Sequence, residues 1–351
     1  MSTVAQPRTF ASPLAGRHAQ LRSIGSSLAA VILALILGGA LMAIAGGDPI
    51  SGYRAMIDGV FGTPYGMGQA LILAAPLTII GLGLALAFKG RVYNIGAEGQ
   101  FLMGALGAGA VAIVVPIHAG ALLVLLAILA GILAGVFWGG IVGVLRARFG
   151  VNEVITSLLL TYIAGFIFSW SIRDPFHAPG VSGLQGKAVP ENTIFPTFTS
   201  LYVHPGVFAA IALVPIVAYL MARTPFGFRV RMLGLNADAA EVAGVPRGRM
   251  VVWLMVVSGG LAGLAGAIQI FGVADRLDPS ISAGYGFTAI VVALLGRLRA
   301  FGVLLAALFF AVLQSGGQAM SVNEDLPYAI VLAIEGTFVV FLLIADRLAR
   351  R

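Results

Sequence analysis

GQFLMGALGAGAVAIVVPIHAGALLVLLAILAGILAGVFWGGIVGVL, residues 99–145, contains no Asp, Glu, Lys or Arg. A helix crosses the hydrocarbon core of a bilayer with about 20 apolar residues, so this run is long enough for two crossings. It divides into segments 97–115 and 120–145. Further charge-free runs lie at Ser23–Gly47, Gly59–Phe88, Val154–Ile172, Asn192–Ala222, Met250–Ala274, Pro279–Gly296 and Ala300–Asn323. Several reach spanning length, and the fold class follows: an all-α, polytopic membrane protein.

Composition agrees. The 351 residues are 59% hydrophobic and 10% charged, whereas a soluble domain carries roughly 25% charged residues to cover its surface. The net charge of +7 comes from residues scattered at segment ends, a membrane-topology pattern and not a nucleic-acid face. The absence of cysteine excludes disulfides and thiolate chemistry. Arg8, Arg17 and Arg22 precede an apolar run ending in Ala43-Ile44-Ala45. That run exceeds the about 7–15 residues of a secretory signal, so it is expected to be a retained first helix.

Ten segments meet both length and charge requirements: 24–46, 67–88, 97–115, 120–145, 154–171, 206–222, 251–272, 283–296, 301–318 and 327–345. Threading with both termini in the cytoplasm places 17 of the 21 Lys and Arg residues inside. Arg54, Arg173, Lys187 and Arg276 fall outside. This is the positive-inside distribution. It divides the chain into a cytoplasmic tail 1–23, a transmembrane region 24–346 and a tail 347–351. Segment 283–296 is short, and 89–104 is Gly-rich with polar residues; either suits a broken or re-entrant helix. The external loop 173–205, with five prolines and glycines at 180, 183 and 186, predicts little helix. Gly81–Gly90 has an echo in Ala289–Arg299, consistent with two pseudo-repeated halves.

Four places carry chemical content. Lys89-Gly-Arg-Val-Tyr-Asn94-Ile-Gly-Ala-Glu98-Gly-Gln100 places Asn94, Glu98 and Gln100 at membrane depth, where polar groups are costly. Two readings stand: a polar constriction on a solute path, or an interfacial loop with Glu98 favoured by a helix N-terminus. Asn152 and Glu153 suit an N-cap and a first-turn acid, while Thr156 and Thr161 add hydroxyls that a polar solute could contact. The insert 223–249 carries five arginines; within it Asn236 to Gly244 has a cap, a helix-forming centre and a glycine stop before Pro246. It reads as a rigid knob for docking a cytoplasmic partner, against the plainer reading of a solvated loop. Glu335 lies deep in the last segment; it suits a hydrogen-bonded structural role or, in a secondary transporter, proton coupling.

The sequence contains no G-x-x-x-x-G-K-[ST] phosphate loop. The four histidines lack metal-ligand spacing, and no acid–base–nucleophile set assembles. Neither a catalytic site, a metal site nor a cofactor is expected on the chain.

The run Gly81–Gln100 resembles the signature of the inner-membrane permeases of bacterial ABC importers of the branched-chain amino acid and simple-sugar type, nearest their nucleoside-uptake branch. Asn152-Glu-Val-Ile155 leading to Leu160-Thr161-Tyr162 is similar to that branch's Asn-Glu-Val-Ile-Ser-Thr-Leu helix, with Thr156-Ser157 in swapped order and Thr161 where an Asn is common. Gly234, Asn236, Ala239, Ala240, Glu241, Ala243 and Gly244 match the family's coupling helix. Gly284 to Arg297 and Ser315-Gly316-Gly317 complete the pattern, which covers about residues 65–346. Glu335 stands where relatives often carry a neutral polar residue. The resemblance implies a bacterial inner-membrane subunit paired with a second permease. It also implies a cytoplasmic ATPase holding the ATP and Mg2+, and a substrate-binding protein or lipoprotein outside. A nucleoside is the implied cargo, with a simple sugar as alternative. Asn94, Glu98, Gln100, Asn152, Thr156 and Thr161 are the expected pathway residues, and membrane lipid the surrounding partner.

Overall fold

The computed structural model describes residues 29, 31–117, 119–181 and 183–349. Arg8, Arg17, Arg22, Arg350 and Arg351, with the tail 1–23, lie outside them. Among the described residues the structure is helical, without strands. The helices are α1 (Val31–Ile44), α2 (Pro49–Phe61), α3 (Pro64–Lys89), α4 (Ala97–Val114), α5 (Gly120–Phe149), α6 (Glu153–Arg173), α7 (Pro205–Arg223), α8 (Pro225–Leu235), α9 (Ala237–Val242), α10 (Arg247–Gln269), α11 (Tyr285–Leu295), α12 (Ala300–Asn323) and α13 (Tyr328–Ala349).

A helix stands at each of the ten predicted segments. Seven helices are long and apolar enough to cross a membrane, and an eighth span arises if α1 and α2, bent by 114° at their junction, count as one. α11 is short, and so is the apolar part of α13. α2 is an element that the charge pattern did not anticipate: Asp48 caps it, accepting from the amide of Ile50 at 3.1 Å.

Local chemistry sets the helix starts. α3, α7 and α8 each begin with a capping side chain followed by Pro at the first helical position, where the missing N–H costs nothing. Thr63 accepts from Gly66 N, His204 from Gly206 N and Thr224 from Gly227 N. α5 ends in Gly150 at φ 69°, with Arg146 and Arg148 in its last turn beside the negative end of the helix dipole.

The described chain divides into two compact units. In the larger, Val60–Ser315, α3 is buried on all sides from Ala74 to Phe88. It packs on α10, α11 and α7, and α10 packs in turn on α5 and α4. Small residues set these approaches: a methyl group on Gly104 would stand 2.3 Å from Gly263 Cα, and one on Gly135 2.2 Å from the Gly259 carbonyl. In lipid, where no hydrophobic drive separates helix from tail, such close packing carries the association. In the smaller unit, comprising the described parts of 1–59 and 316–351, Ser51 Oγ donates to Glu324 at 2.6 Å. A methyl on Gly317 would collide with Val331 Cγ1 at 2.1 Å.

The loop 173–205 holds one short 3-10 turn, Glu191–Thr193, among its described residues. It is tied to the end of α10, which passes through a π-turn at Ile270–Ala274. Phe195 N donates to Phe271 O at 2.8 Å, Val189 N to Asp275 O at 2.8 Å and Gly186 N to Leu277 O at 2.9 Å.

Candidate functional site

The chain leaves α3 at Gly90 and re-enters helix at Ala97, so a short connection joins two candidate spans inside the larger unit. Buried backbone outside regular helix needs partners, and side chains supply them. Asn94, fully buried, is the centre. Its amide nitrogen donates to Gln100 Oε1 at 2.8 Å and to Ser258 Oγ of α10 at 2.9 Å. Its oxygen accepts from Gly96 N at 3.0 Å and from Gln100 Nε2 at 3.2 Å. Ser157 of α6 accepts from Ile95 N at 3.1 Å.

Glu98 begins α4 and holds the segment from another side. Its Oε2 accepts from Gly286 N, at the start of α11, at 2.7 Å, and its Oε1 accepts from Ser282 Oγ. A carboxylate with both oxygens engaged at a helix N-terminus is favoured by the dipole and by charge-assisted bonds. Thr161 faces the same place: a methyl on Gly99 would lie 2.8 Å from Thr161 Cα and 3.2 Å from its Oγ1. The Thr161 hydroxyl itself donates to Ser157 O at 3.1 Å.

Asn94, Glu98, Gln100 and Thr161 thus gather around one buried turn, joined by Ser157, Ser258 and Ser282. Ser258 escaped the sequence reading. Its signal was a lone hydroxyl in the apolar stretch of α10, immediately before Gly259-Gly260. Asn152 and Thr156 lie apart from this group, at the start of α6. Asn152 accepts from Val154 N at 2.9 Å, Thr156 donates to Asn152 O at 2.9 Å, and Glu153 meets Arg146 at 3.1 Å. They act as the cap and staple of the α5–α6 turn.

The segment 234–244 forms a helix–turn knob. Asn236 Oδ1 accepts from Asp238 N and Ala239 N, both at 3.0 Å. Gly244 stops the turn at φ 82°. Ala240 is fully buried, whereas Val242 is 91% exposed, and Asn236, Ala239, Glu241, Ala243 and Gly244 are exposed as well. Gly234 has a packing reason: a methyl there would stand 2.0 Å from the Lys89 carbonyl.

Outside this turn, His204 is buried against Phe195, their rings 5.9 Å apart. Its Nδ1 accepts from Gly206 N at 3.1 Å and its buried Nε2 has no hydrogen-bond partner. Burial pushes its pKa down to about 4. Glu335, on α13, is buried too. Among the described residues no cluster of His, Asp and Glu could hold a metal ion.

Comparison with known proteins places this architecture. The chain is 37% identical to a glucose ABC transporter permease of Haloferax volcanii, over 92% of this chain and 87% of the relative. It is 34% identical to a nucleoside ABC transporter permease of Lactococcus lactis, over 92% and 91%. It is 32% identical to a guanosine ABC transporter permease of Bacillus subtilis, over 90% and 91%. The family described as branched-chain amino acid transport system / permease component matches residues 66–344. With the family matched over most of the chain and three permeases 32–37% identical to it, the chain belongs to the branched-chain amino acid transport system permease component family.

Proposed function

We propose that the chain is one half of a nucleoside importer in a bacterial inner membrane. The observation that carries this reading is the character of the buried turn. Its polar groups are the amides of Asn94 and Gln100 and the hydroxyls of Ser157, Thr161 and Ser258, and both oxygens of its one carboxylate, Glu98, are already engaged. Uncharged donors and acceptors suit a neutral, hydroxyl-rich cargo with ring acceptors better than an ion. The nucleoside and guanosine relatives support the same reading. The glucose relative favours a simple sugar as the second reading.

In this scheme both termini and the 223–249 segment face the cytoplasm, and the two pseudo-repeated halves lie within 24–346. An ATPase subunit, holding ATP and Mg2+, docks on the knob through the exposed face of Asn236, Ala239, Glu241, Ala243 and Gly244. A binding protein or lipoprotein delivers cargo to loop 173–205, and Asn94, Glu98, Gln100, Asn152, Thr156 and Thr161 line or shape the path. The second permease is a different chain: Lactococcus lactis and Bacillus subtilis each hold a second permease, named for nucleosides and for guanosine respectively, that also matches this one. A proton-coupled carrier using Glu335 would instead show uptake driven by a pH gradient without ATP.

The test is uptake into liposomes holding the complete complex. Labelled guanosine is expected to enter with ATP, to be displaced by excess uridine and to be unaffected by excess glucose. Displacement by glucose and not by uridine transfers the assignment to sugars.

A further inference from the structure

The ring of His204 stands where loop 173–205, the start of α7 and the π-turn of α10 meet. It is 2% exposed and caps α7, its Nδ1 accepting from Gly206 N at 3.1 Å. From the loop, Phe195 stacks on it with 29° between the planes. From the π-turn, Gly272 lies against it: a methyl on Gly272 would stand 2.6 Å from Cε1, 2.7 Å from Nε2 and 2.8 Å from Nδ1. A methyl on Gly206 would stand 2.8 Å from Cε1 and 2.9 Å from Nδ1. The ring has its room because both of these neighbours are glycines. Phe195 continues the tie, its amide bonded to Phe271 O and its ring 6.0 Å from that of Phe271.

The cap fixes the state of the ring. An imidazole nitrogen that accepts a hydrogen bond carries no proton, so the proton of the neutral ring sits on Nε2. That atom is buried and has no hydrogen-bond partner. A second proton can go only to Nδ1, where it sets one N–H against another and breaks the bond to Gly206 N. It also leaves a cation enclosed by Phe195, Gly206 and Gly272, none of which can balance its charge. The charged ring has to leave for water, and Phe195 then loses the partner on which it stacks.

The charged groups of the surrounding elements are engaged elsewhere. In the loop, His177 bridges to Gly186 with Lys187 beside that bridge, and Glu191 is exposed. Past the π-turn, Asp275 pairs with Arg276 at 2.6 Å. The basic residues of α7 and α10, Arg223, Arg247 and Arg249, stand at the far ends of those helices. Burial alone acts on His204 and pushes it down from an ordinary 6.5 to about 4. The freed ring therefore takes a proton at a higher pH than the held ring. The hold is complete above 6.5 and weakens roughly tenfold for each pH unit between 6.5 and about 4.

We propose that His204 is an acid-sensitive clasp: its neutral ring holds loop 173–205 to the start of α7 and the end of α10, and a proton on Nδ1 releases the loop. The clasp needs no assumption about cargo or ATPase. In the importer scheme above, this loop receives the binding protein, so acid on that side would govern docking; that last step alone rests on the scheme.

The chain has no cysteine, so spin labels can be placed in pairs on the full-length chain in detergent. Ile194→Cys with Val273→Cys puts labels at exposed positions beside the Phe195–Phe271 tie. Phe137→Cys with Leu159→Cys, also exposed, puts a control pair beside the Trp138–Leu160 bond between α5 and α6. Dipolar broadening is read by electron paramagnetic resonance from about pH 7 down to about pH 4. The first pair is expected to lose its broadening over this range while the control pair keeps it. His204→Asn retains an acceptor for the cap and does not titrate, and is expected to hold the first pair together at the acid end. An unchanged first pair overturns the proposal. Loss in both pairs together is unfolding of the chain and overturns it as well. So does the same transition in His204→Asn. Should that variant be released already at neutral pH, the midpoint of the transition with His204 present decides. His177→Gln, Glu191→Gln and Asp275→Asn are expected to leave that midpoint in place, and one that moves with any of them removes His204 from the role.

Discussion

Asn94 shows how much one side chain does in the turn between two helices. It satisfies four groups, on α4, on α10 and in the turn between α3 and α4, so its loss leaves buried donors and acceptors without partners at about 1–3 kcal/mol each. Asn94→Leu is therefore expected to lower the apparent Tm of the purified chain by several degrees. Ser258→Ala, which removes one partner only, should cost less. Equal, negligible shifts for both would show that the network carries no stability. His204 gives a pH signature. The unfolded imidazole takes a proton near its ordinary value of 6.5, and the folded site refuses it until about 4. The contribution of the neutral ring is complete above 6.5 and is lost as pH falls toward 4. His204→Gln is expected to flatten the fall in thermal stability across that window. The environment of these residues was unequally legible in the sequence. Asn152 announced its capping role through its neighbours. Asn94 and Gln100 announced only that polar groups lay at membrane depth, because their partner Ser258 is 164 positions from Asn94 and no local pattern joins them.

At the scale of elements, the helix starts were readable because caps and prolines act locally. The close approach of α4, α5 and α10 was not, since Gly104, Gly135, Gly259 and Gly263 acquire meaning only when the helices meet. Gly263→Val is expected to force α10 from α4 and α5, costing about 3 kcal/mol or more if overpacking cannot relax; loss of properly folded chain in a detergent-solubility assay checks it. α9 is the opposite case: its cap, its centre and its Gly244 stop were all visible in a nine-residue window. Asn236→Ala removes the acceptor for two amides and should cost the knob about 1 kcal/mol. In the assembled complex, permease-stimulated ATP hydrolysis is expected to drop while the long helices remain folded. Unchanged stimulation in both Asn236→Ala and Glu241→Arg would remove the knob from the coupling scheme. α2 and the bend that separates it from α1 escaped prediction. A charge pattern counts crossings, and Arg54 and Asp58 read as loop residues until Asp48 is seen to start a helix.

For the whole molecule, class and family were legible from apolar length and ordered motifs. The number of crossings was not, because α11 and α13 are borderline in length and hydropathy alone does not separate a short span from a re-entrant one. The absence of cysteine makes the topology directly testable. Val242→Cys is expected to react with a membrane-impermeant maleimide only after cells are opened, and Leu201→Cys to react in intact cells. Reversed labelling would invert the threading and carry the knob to the outer face.

The ties between the loop 173–205 and α10 have a consequence for exchange with solvent. Gly186, Val189 and Phe195 belong to a stretch whose prolines and glycines predict little helix, yet each amide is bonded to a carbonyl in or just beyond the π-turn of α10. The Phe271 carbonyl, in the last turn, would otherwise end the helix unpaired. In deuterium these three amides should therefore exchange at rates set by the opening of the end of α10, far more slowly than the exposed amides at Gly180 and Gly183 of the same loop. In slack and in timing, the loop is the last turn of that helix, supplied by a distant part of the chain.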